Sequence, residues 1–152
     1  MRFVIVTGVS GAGKTAALKM LEDMNYFCVD NLPIQLLEKF ASLLPEMQGE
    51  NVRNVALGID ARSGSALDEL EVVLDRMKNT GYEYEILFMD AEDSVLVKRY
   101  KESRRSHPLA RTGRIDEGIR LEREKTKFLR RRADYIIDTS HLLTRELRQE
   151  IE

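Results

Sequence analysis

The chain of 152 residues has no tryptophan, three prolines and a single cysteine, Cys28. One cysteine excludes a disulfide framework and any zinc site built on several thiolates. Its place in the apolar stretch Tyr26-Phe27-Cys28-Val29 predicts a buried strand residue. No apolar run approaches the roughly 20 residues that carry a helix across a bilayer. Met1-Arg2-Phe3-Val4-Ile5-Val6 runs straight into a glycine cluster with no signal-type cleavage region, which predicts a cytoplasmic protein. With 9 Gly, 43% hydrophobic and 33% charged residues, the composition is far from collagenous or disordered chains. The length fits one domain, residues 1–152.

Charge is plentiful but unevenly placed. Residues 98–132 hold 14 Lys/Arg against 5 Asp/Glu, and the remainder holds 10 against 21, which together give the net −2. Such a basic segment either handles an anion or forms solvated helices braced by intrahelical ion pairs.

The order of elements follows from apolar periodicity. Residues 3–6, 26–30, 54–60, 83–90 and 135–138 read as strands. Residues 14–24, 33–44, 65–79, 95–104 and about 116–132 read as helices, with Pro33 at the first position of the second one. Residues 107–113, with Pro108 and Gly113, read as a loop, and a last helix starts near Ser140. The chain ends at Arg148-Gln149-Glu150-Ile151-Glu152 inside a helical pattern without a C-cap residue, which predicts a continuation in a longer protein. Alternating strands and helices predict an α/β fold: a largely parallel five-stranded sheet with helices on both faces. Asp30, Asp60 and Asp90 each end a strand, so they are expected to face the ligand crevice beyond the strand ends.

Gly8-Val9-Ser10-Gly11-Ala12-Gly13-Lys14-Thr15 matches G-x-x-x-x-G-K-[ST] in full, after a strand and at the start of a helix. At ordinary residue frequencies this pattern arises by chance in roughly 0.5% of chains of this length, before the strand and helix context is required. Gly8, Gly11 and Gly13 allow the backbone to curl around one polyphosphate, whose charge then sits at a helix N-terminus. Lys14 is expected on the β and γ phosphates, and the Thr15 hydroxyl on Mg²⁺. The fold is therefore expected to be a three-layer P-loop NTPase resembling nucleotide kinases, taking Mg²⁺ with ATP or GTP.

A second acidic group belongs near the metal. Asp60, directly or through water, is preferred to Asp90 because Arg62 follows it and supplies a phosphate-binding guanidinium. Either aspartate alternatively caps the next helix. Asp30 reads as a general base or acceptor-hydroxyl partner, or as part of a structural turn. Arg104, Arg105, Arg111 and Arg114, in a candidate lid at 104–114, are placed to counter transition-state charge or to stand exposed without a ligand. His107 and His141 have no partner legible in the sequence. No Asn-Lys-x-Asp run exists, so guanine selection of the Ras type is not encoded.

Taken together, the P-loop, Cys28-Val29-Asp30-Asn31-Leu32-Pro33, Asp60-Ala61-Arg62-Ser63, Arg99-Tyr100, Arg104-Arg105-Ser106-His107-Pro108-Leu109, Arg132-Ala133-Asp134 and Asp138-Thr139-Ser140 resemble the RapZ/YvcJ family of bacterial nucleotide-binding proteins. The resemblance covers the whole chain. It implies ATP and GTP binding with weak hydrolysis, the ATP segment falling on Gly8 to Thr15 and the GTP segment on Asp60 to Ser63. Family members act as RNase adapters that bind a small regulatory RNA through a C-terminal domain, which has no counterpart here. Two rival readings stay open beside a slow NTPase. One is a small-molecule kinase gripping an acceptor through Asp30 and Arg62, and the other is a nucleotide-gated adapter docking RNA or protein on residues 98–132.

Overall fold

The computed structural model describes residues 3–9, 11–47, 54–59, 66–103, 115–140 and 151. Among the described residues, five strands and five helices follow in the order β1 (Phe3–Gly8), α1 (Lys14–Asp23), β2 (Phe27–Val29), α2 (Ile34–Met47), β3 (Val55–Gly58), α3 (Ala66–Asn79), β4 (Glu85–Asp90), α4 (Asp93–Ser103), α5 (Ile115–Arg132) and β5 (Tyr135–Asp138). The strands form one sheet in the order β2-β3-β1-β4-β5, and every neighbouring pair is parallel. This is the expected α/β P-loop architecture.

β1 and β3 are buried along their whole length, as strands covered on both faces must be, and apart from Thr7 their residues are accordingly apolar without alternation. α1 buries Ala17, Leu18, Met20 and Leu21. α3 buries Leu70, Val73, Leu74 and Met77, the spacing of one helical face. Right-handed crossovers place α1 on one face of the sheet, because β1 to β2 runs in the opposite direction to the three later connections. The later helices share the other face, where α2 packs on α3 and α3 on α5.

Element boundaries differ from the sequence reading in instructive places. Pro33 stands one residue before α2, its carbonyl accepting from Leu36 N–H, rather than at the first helical position. β2 is three residues long and lies at the sheet edge, so Cys28 is half-buried rather than buried. Its thiol donates to the Leu18 carbonyl at 3.3 Å, tying β2 to α1.

β1 and β3 are adjacent, yet the helices that follow them leave for opposite faces. That arrangement opens a crevice at their carboxyl ends, where the β1–α1 loop lies.

Candidate functional site

The loop from β1 to α1 is held by close backbone packing. Gly8 has φ 146°, and a Cβ there would lie 2.2 Å from the Met89 carbonyl oxygen of β4. No other residue fits without parting β1 from β4. Val9 N–H donates to that same carbonyl at 3.2 Å, and Ala12 N–H closes a turn onto Val9 O at 3.1 Å. Gly11 and Gly13 have φ 88° and 104°. Gly13 is the N-cap residue of α1 and brings no capping side chain, and the first turn of the helix carries no acidic residue. A helix start of this kind presents its N–H groups and the positive end of its dipole without a carboxylate of its own in the way.

Lys14 opens α1 with its side chain 15% exposed, its Nζ 3.5 Å from Asp30 Oδ1. Asp30 follows β2 directly, and its Oδ1 accepts from Asn31 N–H at 2.8 Å while Asn31 turns the chain with φ 53°. Leu32 N–H then donates to Gly58 O at 3.0 Å, fastening this turn to the end of β3. Gly58 makes room for it: a Cβ there would stand 2.6 Å from Asp30 Oδ1. The ends of β1, β2 and β3 thus bring the glycine loop, Lys14 and Asp30 together. Thr15 is the second residue of α1 and is exposed.

Asp90 departs from expectation. Instead of facing the loop, it is buried and turned to α5, where Arg123 Nη1 reaches Oδ1 at 2.9 Å and Arg130 Nε reaches Oδ2 at 3.2 Å. Oδ1 also accepts from Ala91 N–H at 2.8 Å. Arg123 additionally binds Asp93 at 2.6 Å, and its half-burial, which opposes the charge, is outweighed by these two carboxylates, so its pKa is raised. A carboxylate so occupied is a strand-to-helix brace. Asp60, Ala61, Arg62 and Ser63, with Ser10, Arg104, Arg105, His107, Arg111, Arg114 and His141, lie outside the described residues.

Two residues at the loop carried no local signal. Arg99 of α4 donates through Nη1 to Gly11 O at 2.9 Å and to Thr139 Oγ1 at 3.0 Å, and through Nη2 to Thr139 O at 2.7 Å. Thr139, just beyond β5, places its hydroxyl 2.7 Å from Ala12 O and 3.3 Å from Asp90 O. These partners are 88 and 127 residues apart in sequence, so periodicity could not reveal them.

Among the described residues no group of three or more His, Cys, Asp or Glu side chains is arranged to hold a metal ion. Thr15, exposed at the start of α1, offers an oxygen donor of the kind taken by a divalent cation that keeps water and phosphate oxygens as its other ligands. No helix among the described residues is long and apolar enough to cross a membrane.

The family model for the RapZ-like N-terminal domain matches residues 1–152. A protein of Lachnoclostridium phytofermentans named nucleotide-binding protein is 64% identical over 152 residues, covering 100% of this chain and 53% of that protein. One of the same name from Agathobacter rectalis is 60% identical, with 100% and 52% covered. The chain thus spans about half the length of the curated relatives it matches. Among solved structures, shikimate kinase from Bacteroides thetaiotaomicron superposes with a TM-score of 0.64 at 18% identity, covering 99% of this chain and 94% of that one. A gluconokinase from Sinorhizobium meliloti gives 0.54 at 17%, with 99% and 89% covered. At such identities the likeness shows a shared fold, that of P-loop kinases.

Proposed function

Since the chain belongs to the RapZ-like N-terminal domain family, we propose that it binds ATP or GTP with Mg²⁺ and hydrolyses it slowly, as the nucleotide-binding half of a regulatory, RNase-adapter-type protein. The observation that carries this reading is the loop itself. Three glycines at positive φ lead into a helix start with no side-chain cap and no acidic first turn, with the Lys14 ammonium beside it. That is an anion cradle, and its sequence pattern is that of a polyphosphate loop. The relatives' shared name, nucleotide-binding protein, supports the same conclusion.

In this mechanism the backbone of residues 8–15 orients the polyphosphate, and Lys14 leaves Asp30 to meet the β and γ oxygens. Thr15 would hold Mg²⁺ together with Asp60. When bound there, the ion would supply charge neutralisation for the phosphoryl group under attack. Arg62, with Ala61 and Ser63 beside it, and the arginines at 104, 105, 111 and 114 supply further countercharge. A small regulatory RNA and an RNase are partners of the longer protein through a second domain, in the cytoplasm.

Calorimetric titration with ATP, GTP and their diphosphates, with and without Mg²⁺, tests this directly. Lys14→Ala should abolish triphosphate binding and leave the thermal unfolding midpoint unchanged. Equal affinity of the variant and the parent removes Lys14 from the phosphates.

One observation favours a second reading, a small-molecule kinase. Asp30 Oδ1 stands 3.5 Å from the Lys14 ammonium at the phosphate loop, and a carboxylate beside the transferred phosphate is the type of group that takes the proton of an acceptor hydroxyl. That reading requires turnover to rise strongly with some metabolite, and a broad metabolite panel that never lifts the basal rate argues for hydrolysis alone.

A further inference from the structure

We propose that Arg99 and Thr139 are positioning residues that set the phosphate loop in its binding shape from outside. The inference rests on the polyphosphate-binding reading above and adds the means by which the cradle is aimed.

A trans peptide points its C=O and the following N–H in opposite directions. Whatever holds the carbonyls of Gly11 and Ala12 therefore fixes the orientation of the Ala12 and Gly13 N–H groups. Arg99 Nη1 holds the first carbonyl at 2.9 Å, and the Ala12 N–H on the other side of that peptide closes onto Val9 O at 3.1 Å. The Thr139 hydroxyl holds the second carbonyl at 2.7 Å. The Gly13 N–H accordingly points away from Thr139, toward the side of the loop that receives phosphate.

Thr139 has one hydroxyl proton and two nearby carbonyls, Ala12 O at 2.7 Å and Asp90 O at 3.3 Å. Arg99 donates to the same oxygen at 3.0 Å and occupies a lone pair. Asp90 O already accepts Thr139 N–H at 2.9 Å. The proton is thereby directed to Ala12 O, forming a chain from guanidinium to hydroxyl to carbonyl whose far end is the Gly13 N–H. Such a chain is strengthened by its charged first donor. Thr139 is 4% exposed, so water does not compete for this bond. Gly13, with φ 104° and, among the described residues, only the Thr139 and Met89 side chains near its would-be Cβ at 3.8 and 3.9 Å, has room to follow the peptide that Thr139 sets.

Thr139→Val keeps the shape and removes the hydroxyl, Thr139→Ser restores it, and Arg99→Lys keeps the charge but loses the forked geometry. Titration of the 152-residue chain with Mg²⁺ and ATP or GTP should show Thr139→Val about tenfold weaker, the worth of one lost orienting hydrogen bond. Thr139→Ser should stay within about twofold of the parent, and Arg99→Lys should fall between them. The Gly13 amide resonance should move on nucleotide addition in the parent and in Thr139→Ser, and markedly less in Thr139→Val. A lowered unfolding midpoint with unchanged affinity and unchanged Gly13 shift reduces both residues to packing and overturns the proposal. Should Thr139→Val not fold, Arg99→Lys carries the test, and parental affinity in that variant overturns it equally. A parent chain that binds no triphosphate defeats the functional reading itself, and this inference with it.

Discussion

Asp30 and Asp90 occupy equivalent places in the sequence, each at the carboxyl end of an apolar strand, yet the fold gives them opposite work. Asp90 closes β4, an inner strand with α5 packed over it, and its side chain is 11% exposed with two arginines on its two oxygens. Asp30 follows β2, the three-residue edge strand, and its side chain is 38% exposed with Lys14 at 3.5 Å. A carboxylate in the first setting braces strand to helix, since removing it takes the shared partner from Arg130 and leaves Arg123 with Asp93 as its remaining carboxylate. In the second setting the pair is loose enough to part when a stronger anion arrives. Position at a strand end marks a group as near the crevice. The helix lying over the strand decides whether that group is spent on structure or left for chemistry.

The largest effect on stability should come from Asp90→Ala. We expect a loss of about 2 kcal/mol in urea unfolding, below the ~3–5 kcal/mol of a fully buried pair because Arg123 and Arg130 keep side-chain exposures of 31% and 54%. Asp30→Ala should cost no more than about 0.5 kcal/mol in the same assay. Equal losses at the two positions would break the contrast.

Asp30→Asn sharpens it from the functional side. Under the small-molecule-kinase reading, metabolite-stimulated turnover of the triphosphate should fall by about 10²-fold, the usual contribution of a general base, while nucleotide affinity stays within about threefold. Initial rates and calorimetry on the same preparation separate the two quantities, and an unchanged rate would leave Asp30 no part in proton transfer.

Much of this was legible because the signals are local. Phe3 to Val6, Leu70 to Met77 and the glycine loop each declare their state within a few residues, so the succession of strands and helices and the parallel sheet followed from pattern. Asp90 misled for a physical reason: its partners Arg123 and Arg130 stand 33 and 40 residues on, and ion pairing at that range leaves no period. Arg99 and Thr139 were visible only as members of a resemblance, since their bonds to Gly11 and Ala12 join elements that touch after the sheet has closed. Cys28 read as buried because Phe27-Cys28-Val29 is apolar, and an apolar edge strand has the same composition as an inner one.

That half-buried edge also sets the smallest effect. The Cys28 thiol is pushed up to about 11 from its ordinary 9.0, chiefly because burial disfavours the thiolate and secondarily because Glu22 repels it. The unfolded chain therefore releases this proton near pH 9 while the folded chain retains it to about pH 11. Where the unfolded state binds fewer protons, stability falls as pH rises. The contribution of Cys28 should be whole below pH 9 and lost progressively up to about pH 11. Other groups titrate in the same range, so the informative quantity is the unfolding midpoint of the parent minus that of Cys28→Ala, followed from pH 8 to 10.5. A difference that shrinks with pH would show that even the edge strand bearing Asp30 is desolvated on its α1 side, where Cys28 meets the Leu18 carbonyl. A difference independent of pH would place β2 in effectively open solvent and widen the contrast with β4 beyond what the burial of the two carboxylates implies.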